Sequence, residues 1–400
     1  MSPMMHPAQI QLNSLASGPH RQRCWGALLR SLLCGLLLTS GATARAEERL
    51  PLEKIRLPPG FAIELWARIE NPRQMALGAY DATGGTVYAG SLRAGSVHAV
   101  RFDTRFKATG VTRIASGLTL PSGVAWHAGA LYVAAVNQIL RYDDIDRRLA
   151  NPPPPVVVKN TLPRQTEHGW KFIAFGPDGK LYVPVGAPCN ICAPGEPHAT
   201  LLRMNEDGSG AEIFARGVRN SVGFDWNPED QTLWFTDNGR DWLGAEAPPD
   251  ELNHAPQANM HFGFPYCHGG DLPDSDFGKN RTCREFTPPA QKLGAHVAAI
   301  GMRFYTGALF PAEYRNQIFI AEHGSWNRWQ KTGYRISRVQ VKNGRAISYR
   351  IFAEGWLEDS ILGGTAWGRP SDVLMLPDGS LLVADDHANA IYRITWRAPR

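Results

Sequence analysis

The sequence predicts an all-β chain folded as a six-bladed β-propeller, and three observations carry that expectation. A turn followed by a short β-rich run recurs six times: GGTVYAGS from Gly84, GALYVAAV from Gly129, PDGKLYVPVG from Pro177, PEDQTLWFTDN from Pro228, RNQIFIAEHG from Arg315 and PDGSLLVADD from Pro377. The apolar runs begin near residues 87, 131, 181, 233, 318 and 381, so most intervals suit one blade of four strands. The runs are rich in β-branched and aromatic residues and are bounded by Pro, Asp, Asn and Gly, while no long helical period follows the N-terminal segment. A pair of β-sandwiches is the competing architecture. Radial repetition favours the propeller, because it lets about 350 residues fold without one oversized core.

In chain order, residues 1–46 carry Arg21, Arg23, Arg30 and Arg45 with no acidic residue, and their apolar run Ser31–Ala42 is too short to span a bilayer. They read as a signal peptide cleaved after Ala44-Arg45-Ala46, with the mature protein starting at Glu47 in the periplasm and keeping no membrane span. Residues 47–59 are an extended lead-in. FAIELWA (Phe61 to Ala67) and AIYRITW (Ala390 to Trp396) are strand-like ends that can pair to close the ring, so 47–400 forms one domain. The long interval between the fourth and fifth runs must hold an insertion, assigned to the Pro-rich AEAPPDELNHAPQ and the Cys267/Cys283 pair.

Removing the four leader arginines takes the formal charge from +5 to +1, which argues against nucleic acid as a partner. Cys24 and Cys34 leave with the leader, and the remaining four cysteines fall into two local pairs that an exported chain would bridge, Cys189 with Cys192 and Cys267 with Cys283. The first pair reads as a loop bridge or a redox motif. Ala193 follows Cys192, where covalent haem attachment needs histidine.

The chemistry-bearing segments are EHGWKFIAFGPDGKLYVPVG (Glu167 to Gly186) and GVRNSVGF (Gly217 to Phe224). Each joins a polar group to a β-type run, so a propeller can bring His168, Arg219 and Asn220 to one central face. Histidine, with an ordinary pKa of about 6.5, is the residue type that takes a hydroxyl proton near neutrality. A guanidinium stabilises negative charge developing on an oxygen.

These two motifs resemble the soluble glucose dehydrogenase and sorbosone dehydrogenase family, six-bladed propellers that use pyrroloquinoline quinone (PQQ) and calcium. The resemblance runs over most of residues 50–397. It implies that His168 is the general base, that Arg219 and Asn220 contact the quinone, with Arg219 also beside the reacting carbonyl, and that Arg369 in GRPSDVLMLPDG binds a cofactor carboxylate. Two departures stand out. The family aspartate that orients the histidine falls on Ala187, leaving Glu167 or another carboxylate to substitute. A second carboxylate-binding arginine falls on Ser371, leaving Arg328 or Lys331 in HGSWNRWQKTGYR to compensate. Trp326 and Trp329 in the same segment either stack on the quinone or sit at the rim.

Asp250-Glu251-Leu252-Asn253 matches the family segment after its calcium loop, so the resemblance implies calcium near the carbonyls of Gly239, Arg240 and Gly244, with Asp237 or Asp241 as side-chain ligands. The implied activity is oxidation of an aldose sugar or a sugar-derived aldehyde such as sorbosone, with electrons passed to a separate acceptor, a cytochrome or quinone. A non-catalytic binding propeller of the same ancestry is the alternative reading. A calcium-dependent lactonase would leave both motifs unexplained.

Overall fold

The computed structural model describes residues 49–361 and 364–398. The expected signal peptide, its cleavage site, Cys24 and Cys34 lie outside the described residues. Six antiparallel sheets follow one another along the chain. Blade 1 comprises Pro72–Asp81, Gly84–Ser91, Val97–Phe102 and Ala108–Ala115. Blade 2 comprises Gly123–His127, Ala130–Ala134, Ile139–Tyr142 and Val156–Lys159. Blade 3 is built from Ala174–Phe175, Leu181–Val185, Thr200–Met204 and Glu212–Arg216, and blade 4 from Phe224–Trp226, Leu233–Asp237, Pro249–Ala255 and Gln291–Ala295. Blade 5 holds Ala299–Tyr305, Gln317–Glu322, Arg335–Lys342 and Arg345–Glu354.

Blade 6 takes three strands from the C-terminal end, Pro370–Met375, Leu381–Asp385 and Ala390–Trp396, and its outermost strand, Phe61–Arg68, from the N-terminal side. That pairing runs from Phe61 opposite Trp396 to Arg68 opposite Ala390, as the two strand-like ends predicted. Closure is reinforced by aromatic packing: Phe61 meets Phe310 and Phe352 of blade 5 edge-on at centroid distances of 4.8 and 5.0 Å.

All six sequence runs become the second strand of a blade. Ala130–Ala134, Leu181–Val185, Leu233–Asp237 and Leu381–Asp385 are buried at every position, because neighbouring blades cover both faces. That is why they read as continuous apolar runs rather than alternating ones. Hydrogen bonds then lock blade to blade. The Gln74 side chain of blade 1 donates from Nε2 to the Ile173 carbonyl and accepts from the amides of Val124 and Ile173. The Asp372 carboxylate of blade 6 accepts the Met75 amide at 2.7 Å.

The insertion is smaller than the sequence suggested. The half of the Pro-rich segment containing Asp250 to Asn253 is the third strand of blade 4, paired with Leu233–Asp237, so the excursion covers only residues 256–290. Within it Met260–His261 adds in parallel to the edge of blade 3, and the Cys267–Cys283 disulfide closes the loop. The Cys189–Cys192 bridge is also formed.

Gly223, last residue of the G-x-R-N-x-x-G motif, is fixed by packing: a Cβ there would lie 2.0 Å from the Ile300 carbonyl oxygen of blade 5. That carbonyl is itself held by Thr236 Oγ1 at 2.8 Å and cannot retreat freely. Gly223→Ala is therefore expected to cost about 3 kcal/mol, the upper part of the usual overpacking range. A lowered denaturant midpoint at unchanged slope checks this; an unchanged midpoint contradicts it.

Candidate active site

His168 lies in the connection between blades 2 and 3, at a left-handed φ of 48°, where the chain reverses before Gly169. Its position depends on Gly186, because a Cβ on Gly186 would fall 2.6 Å from His168 Cβ and 2.7 Å from its carbonyl oxygen. The ring Nδ1 donates to the main-chain carbonyl of Ala187 at 2.8 Å. The expectation that a carboxylate such as Glu167 replaces the missing aspartate is corrected here. The orienting acceptor is the peptide of Ala187 itself, whose amide is in turn held by the Arg219 carbonyl at 2.8 Å. With Nδ1 so engaged, Nε2 carries the lone pair.

Arg219 is buried and held by the loop that the Cys189–Cys192 bridge closes. Its Nε and Nη2 donate to the carbonyl and side-chain oxygen of Asn190 at 2.8 and 2.9 Å, and Nη1 donates to the Asn238 carbonyl at 3.1 Å. Asp237 sits behind, its two carboxylate oxygens accepting the amides of Arg219 and Asn220 at 2.8 and 2.5 Å. Burial, then Glu251, pushes the Asp237 carboxyl up to about 8, with the two amides opposing.

His168, Arg219 and Asn220 share one cavity of about 370 Å³, together with Gly239, Asp241 and Arg369. This is the convergence the sequence predicted. Arg369 reaches it from the entry of blade 6, with Nε and Nη2 bonded to the carbonyls of His323 and Gly324 at 2.9 and 2.7 Å, over the Tyr334 ring.

Five of the predicted site residues lie outside the cavity lining: Asp237 behind Arg219, and four others held elsewhere. Arg328 donates to the Ala245 carbonyl and pairs with Glu246, and Lys331 donates to the Trp326 carbonyl, so both cations fasten the rim instead of lining the cavity. Arg240 turns its guanidinium away to Asp274 at 2.6 Å, and the Gly244 carbonyl accepts His296 Nε2 at 2.8 Å.

Four basic residues of the cavity lining were missed: Arg73, Arg93, His296 and His323. Arg73, from the start of blade 1, lines the cavity and pairs with Asp386 at 2.8 Å. His323 lines it too, its Nε2 donating to the other Asp386 oxygen at 2.7 Å. A second guanidinium thus lines the cavity from the blade next to Ser371, whose hydroxyl bonds the carbonyl of Pro72, just before Arg73, at 2.8 Å. The signal was present in the repeat: Pro72-Arg73 and Pro370-Ser371 occupy equivalent blade entries.

The cavity wall is cationic, with Arg73, Arg93, Arg219 and Arg369 facing Asp241 and Asp250. Burial, then Arg219, pulls the His168 pKa down to about 3, and burial pulls His323 down to about 4. His168 is therefore unprotonated in the folded state at neutral pH.

That shift predicts a pH effect. A histidine lowered on folding contributes stability that is intact above its unfolded value of about 6.5 and is lost as pH falls toward its folded value. The melting difference between wild type and His168→Gln, in which the buried carboxylates are common and cancel, should be constant above neutrality and move in the variant's favour on acidification. A pH-independent difference contradicts the shift.

Among the described residues no group of three or more His, Cys, Asp or Glu could hold a metal ion. With Asp237 committed to two amides, the Gly244 carbonyl to His296 and Asp241 Oδ1 to Asn327, the oxygens of the predicted set that accept no hydrogen bond among the described residues are the carbonyls of Gly239 and Arg240 and Asp241 Oδ2, of which Gly239 and Asp241 line the cavity. A carbonyl-rich set of this kind suits a hard cation such as calcium.

A six-bladed propeller with a basic, histidine-bearing cavity at its blade entries defines a class of ligand-binding propellers suited to an anionic guest. A family model described as TrAA12-like matches residues 55–397, and the chain belongs to that family. The family resemblance read from the two motifs stands with it. An uncharacterized protein of Borreliella burgdorferi is 33% identical over 389 residues, covering 91% of this chain and 96% of that protein. The calcium structure of the Trichoderma reesei enzyme of carbohydrate-active family AA12 superimposes with a TM-score of 0.72 at 18% identity, covering 88% of this chain and 100% of that one. The holo form of the pyranose dehydrogenase PQQ domain from Coprinopsis cinerea gives 0.71 at 15% identity, covering 85% and 97%. The two structures share the fold.

Proposed function

We propose that this protein is an exported, PQQ- and calcium-dependent dehydrogenase that oxidises an aldose sugar or a sugar-derived aldehyde and hands the electrons to a separate acceptor. The observation that carries this reading is the cavity in which unprotonated His168 stands beside Arg219 and Asn220 under a wall of further arginines. A tricarboxylate quinone would suit that wall: Arg73 and Arg369 would bind its carboxylates, and Arg219 would stand by its reacting carbonyl. Gly239 and Arg240 carbonyls with Asp241 would hold calcium. When bound, PQQ supplies the two-electron acceptor for the substrate's C–H bond.

The protein's share of the chemistry follows from its own atoms. His168 Nε2 accepts the substrate hydroxyl proton, Ala187 keeps the tautomer that makes this possible, and Arg219 stabilises charge on the accepting oxygen. For an aldehyde substrate the hydroxyl is that of its hydrate. The sugar-active names of the structural neighbours support the substrate class, and the two disulfides support an oxidising compartment. No helix among the described residues is long and apolar enough to cross a membrane.

A non-catalytic binding propeller is favoured by one feature, the low basicity of His168. Reconstitution of apo-protein with PQQ and calcium separates the two. The dehydrogenase reading expects a change in quinone absorbance and dye-linked turnover on an aldose panel; cofactor binding with no turnover on any sugar selects the binding propeller. A lack of any thermal shift at high PQQ and calcium rejects the cofactor assignment itself.

A further inference from the structure

The exposed tryptophans of the described residues, Trp242, Trp326 and Trp329, all lie in the two loops at the cavity mouth, with 68%, 63% and 70% of their surface open to solvent. Exposed indoles are costly in a soluble chain unless something covers them in use. Here the loops carrying them are pinned. Asn327 Nδ2 donates to Asp241 Oδ1 at 2.8 Å, Arg328 Nη1 to the Ala245 carbonyl at 2.6 Å, Lys331 Nζ to the Trp326 carbonyl at 2.8 Å, and Tyr334 Oη to the Ser325 carbonyl at 2.6 Å. These bonds tie the two rim loops to their own backbone and to each other, so less order has to be gained when a ligand binds on them.

Trp326 lines the cavity, and Trp242 meets it edge-on, centroids 5.8 Å apart and planes at 89°. The two indoles thus form a corner that continues the cavity wall outward. Glu246 stands in the same loop as Trp242; one of its oxygens pairs with Arg328, and the other offers a hydroxyl acceptor. A pyranose has this mixed character: its C–H face is apolar and packs on an indole, while its hydroxyls need polar partners.

The size of the cavity adds a constraint. At about 370 Å³ it lies near the lower end of ordinary ligand pockets, and a tricyclic quinone takes much of that space. One sugar ring can reach His168; a second ring has only the rim to lie on.

We propose that Trp326 and Trp242 form a saccharide-stacking subsite, so that the substrate class is an oligosaccharide of two or more rings oxidised at the end that enters the cavity. This rests on the sugar dehydrogenase reading for the identity of the reacting end, but the binding itself needs neither PQQ nor turnover.

The test is calorimetric titration of the full-length apo-protein with glucose, cellotriose and maltotriose, in wild type, Trp326→Ala, Trp326→Phe and Trp242→Ala. Wild type is expected to bind at least one trisaccharide roughly tenfold more tightly than glucose, the effect of one well-packed aromatic contact. Trp326→Ala should collapse that ratio toward one, Trp326→Phe should retain part of it, and Trp242→Ala should reduce it. Unchanged thermal midpoints show that the variants remain folded. Equal affinity for one ring and three, or a ratio that survives both alanine substitutions, overturns the proposal. So does a defect seen only as slower electron delivery to a protein acceptor, which would make the rim a docking face. Trp-dependent trisaccharide binding in a protein that never takes up PQQ would sink the dehydrogenase reading and leave the subsite standing.

Discussion

His168→Gln is expected to lower kcat by about 10²- to 10⁴-fold while PQQ still binds, because the imidazole acts on the substrate hydroxyl and general-base catalysis is typically worth that much. Glutamine keeps the size and a donor for the Ala187 carbonyl but has no basic nitrogen, so cofactor affinity and chemistry should separate. Gly186→Ala gives an independent check without touching the imidazole: its methyl would push on His168 Cβ from 2.6 Å, and the same loss of turnover is expected from displacement alone. Stopped-flow reduction of the loaded protein reads both. Wild-type rates in His168→Gln would place the base elsewhere in the cavity, with His323 the next residue to replace.

The second large effect belongs to Arg73. Its pair with Asp386 is almost fully buried, with side-chain exposures of 6% and 7%, and Asp386 also accepts from His323. Removing one member of a buried ion pair strands the other, so Arg73→Ala should cost about 3–5 kcal/mol of stability. The contacts of Arg73 and His323 hold the Asp386 carboxyl well below the usual carboxylate range despite its burial.

Asp386→Asn in the same chain removes the stranded charge and should restore much of the stability. It should not restore PQQ binding, because the guanidinium facing the cofactor is still missing. A charge-assisted hydrogen bond is worth about 1.5–3 kcal/mol, so affinity should fall by about one to two orders of magnitude in the single and the double variant alike. Arg369→Ala should show a similar affinity loss. Thermal melts with and without PQQ separate the two quantities. If the double variant regains affinity together with stability, Arg73 is a structural residue and no cofactor contact.

The propeller was legible in the chain because each blade buries its second strand on both faces, and a doubly buried strand writes a continuous apolar run between turn residues. Ring closure by Phe61–Arg68 and Ala390–Trp396 was legible for a related reason: both ends read as strands and neither had another partner. The disulfides followed from the local pairing of four cysteines in a chain whose leader reads as a signal peptide. His168, Arg219, Asn220 and Arg369 could be named because each sits in a motif whose glycines and prolines fix a blade entry, as Gly223 does against the Ile300 carbonyl.

What only the tertiary structure decided is which groups face one another across blades. Ala187 looked like a lost orienter because sequence displays side chains, whereas the acceptor for His168 is a main-chain carbonyl aimed by the Arg219 peptide. Arg328 and Lys331 had the right charge in the right segment, but their long side chains found rim carbonyls and Glu246 closer than the cavity. Arg73, nearly three hundred residues from Ser371 in sequence, brings a second guanidinium to the cavity, since ring closure makes the first and last blades neighbours. Local chemistry sets strands and turns, and long-range closure sets the partners of each charge.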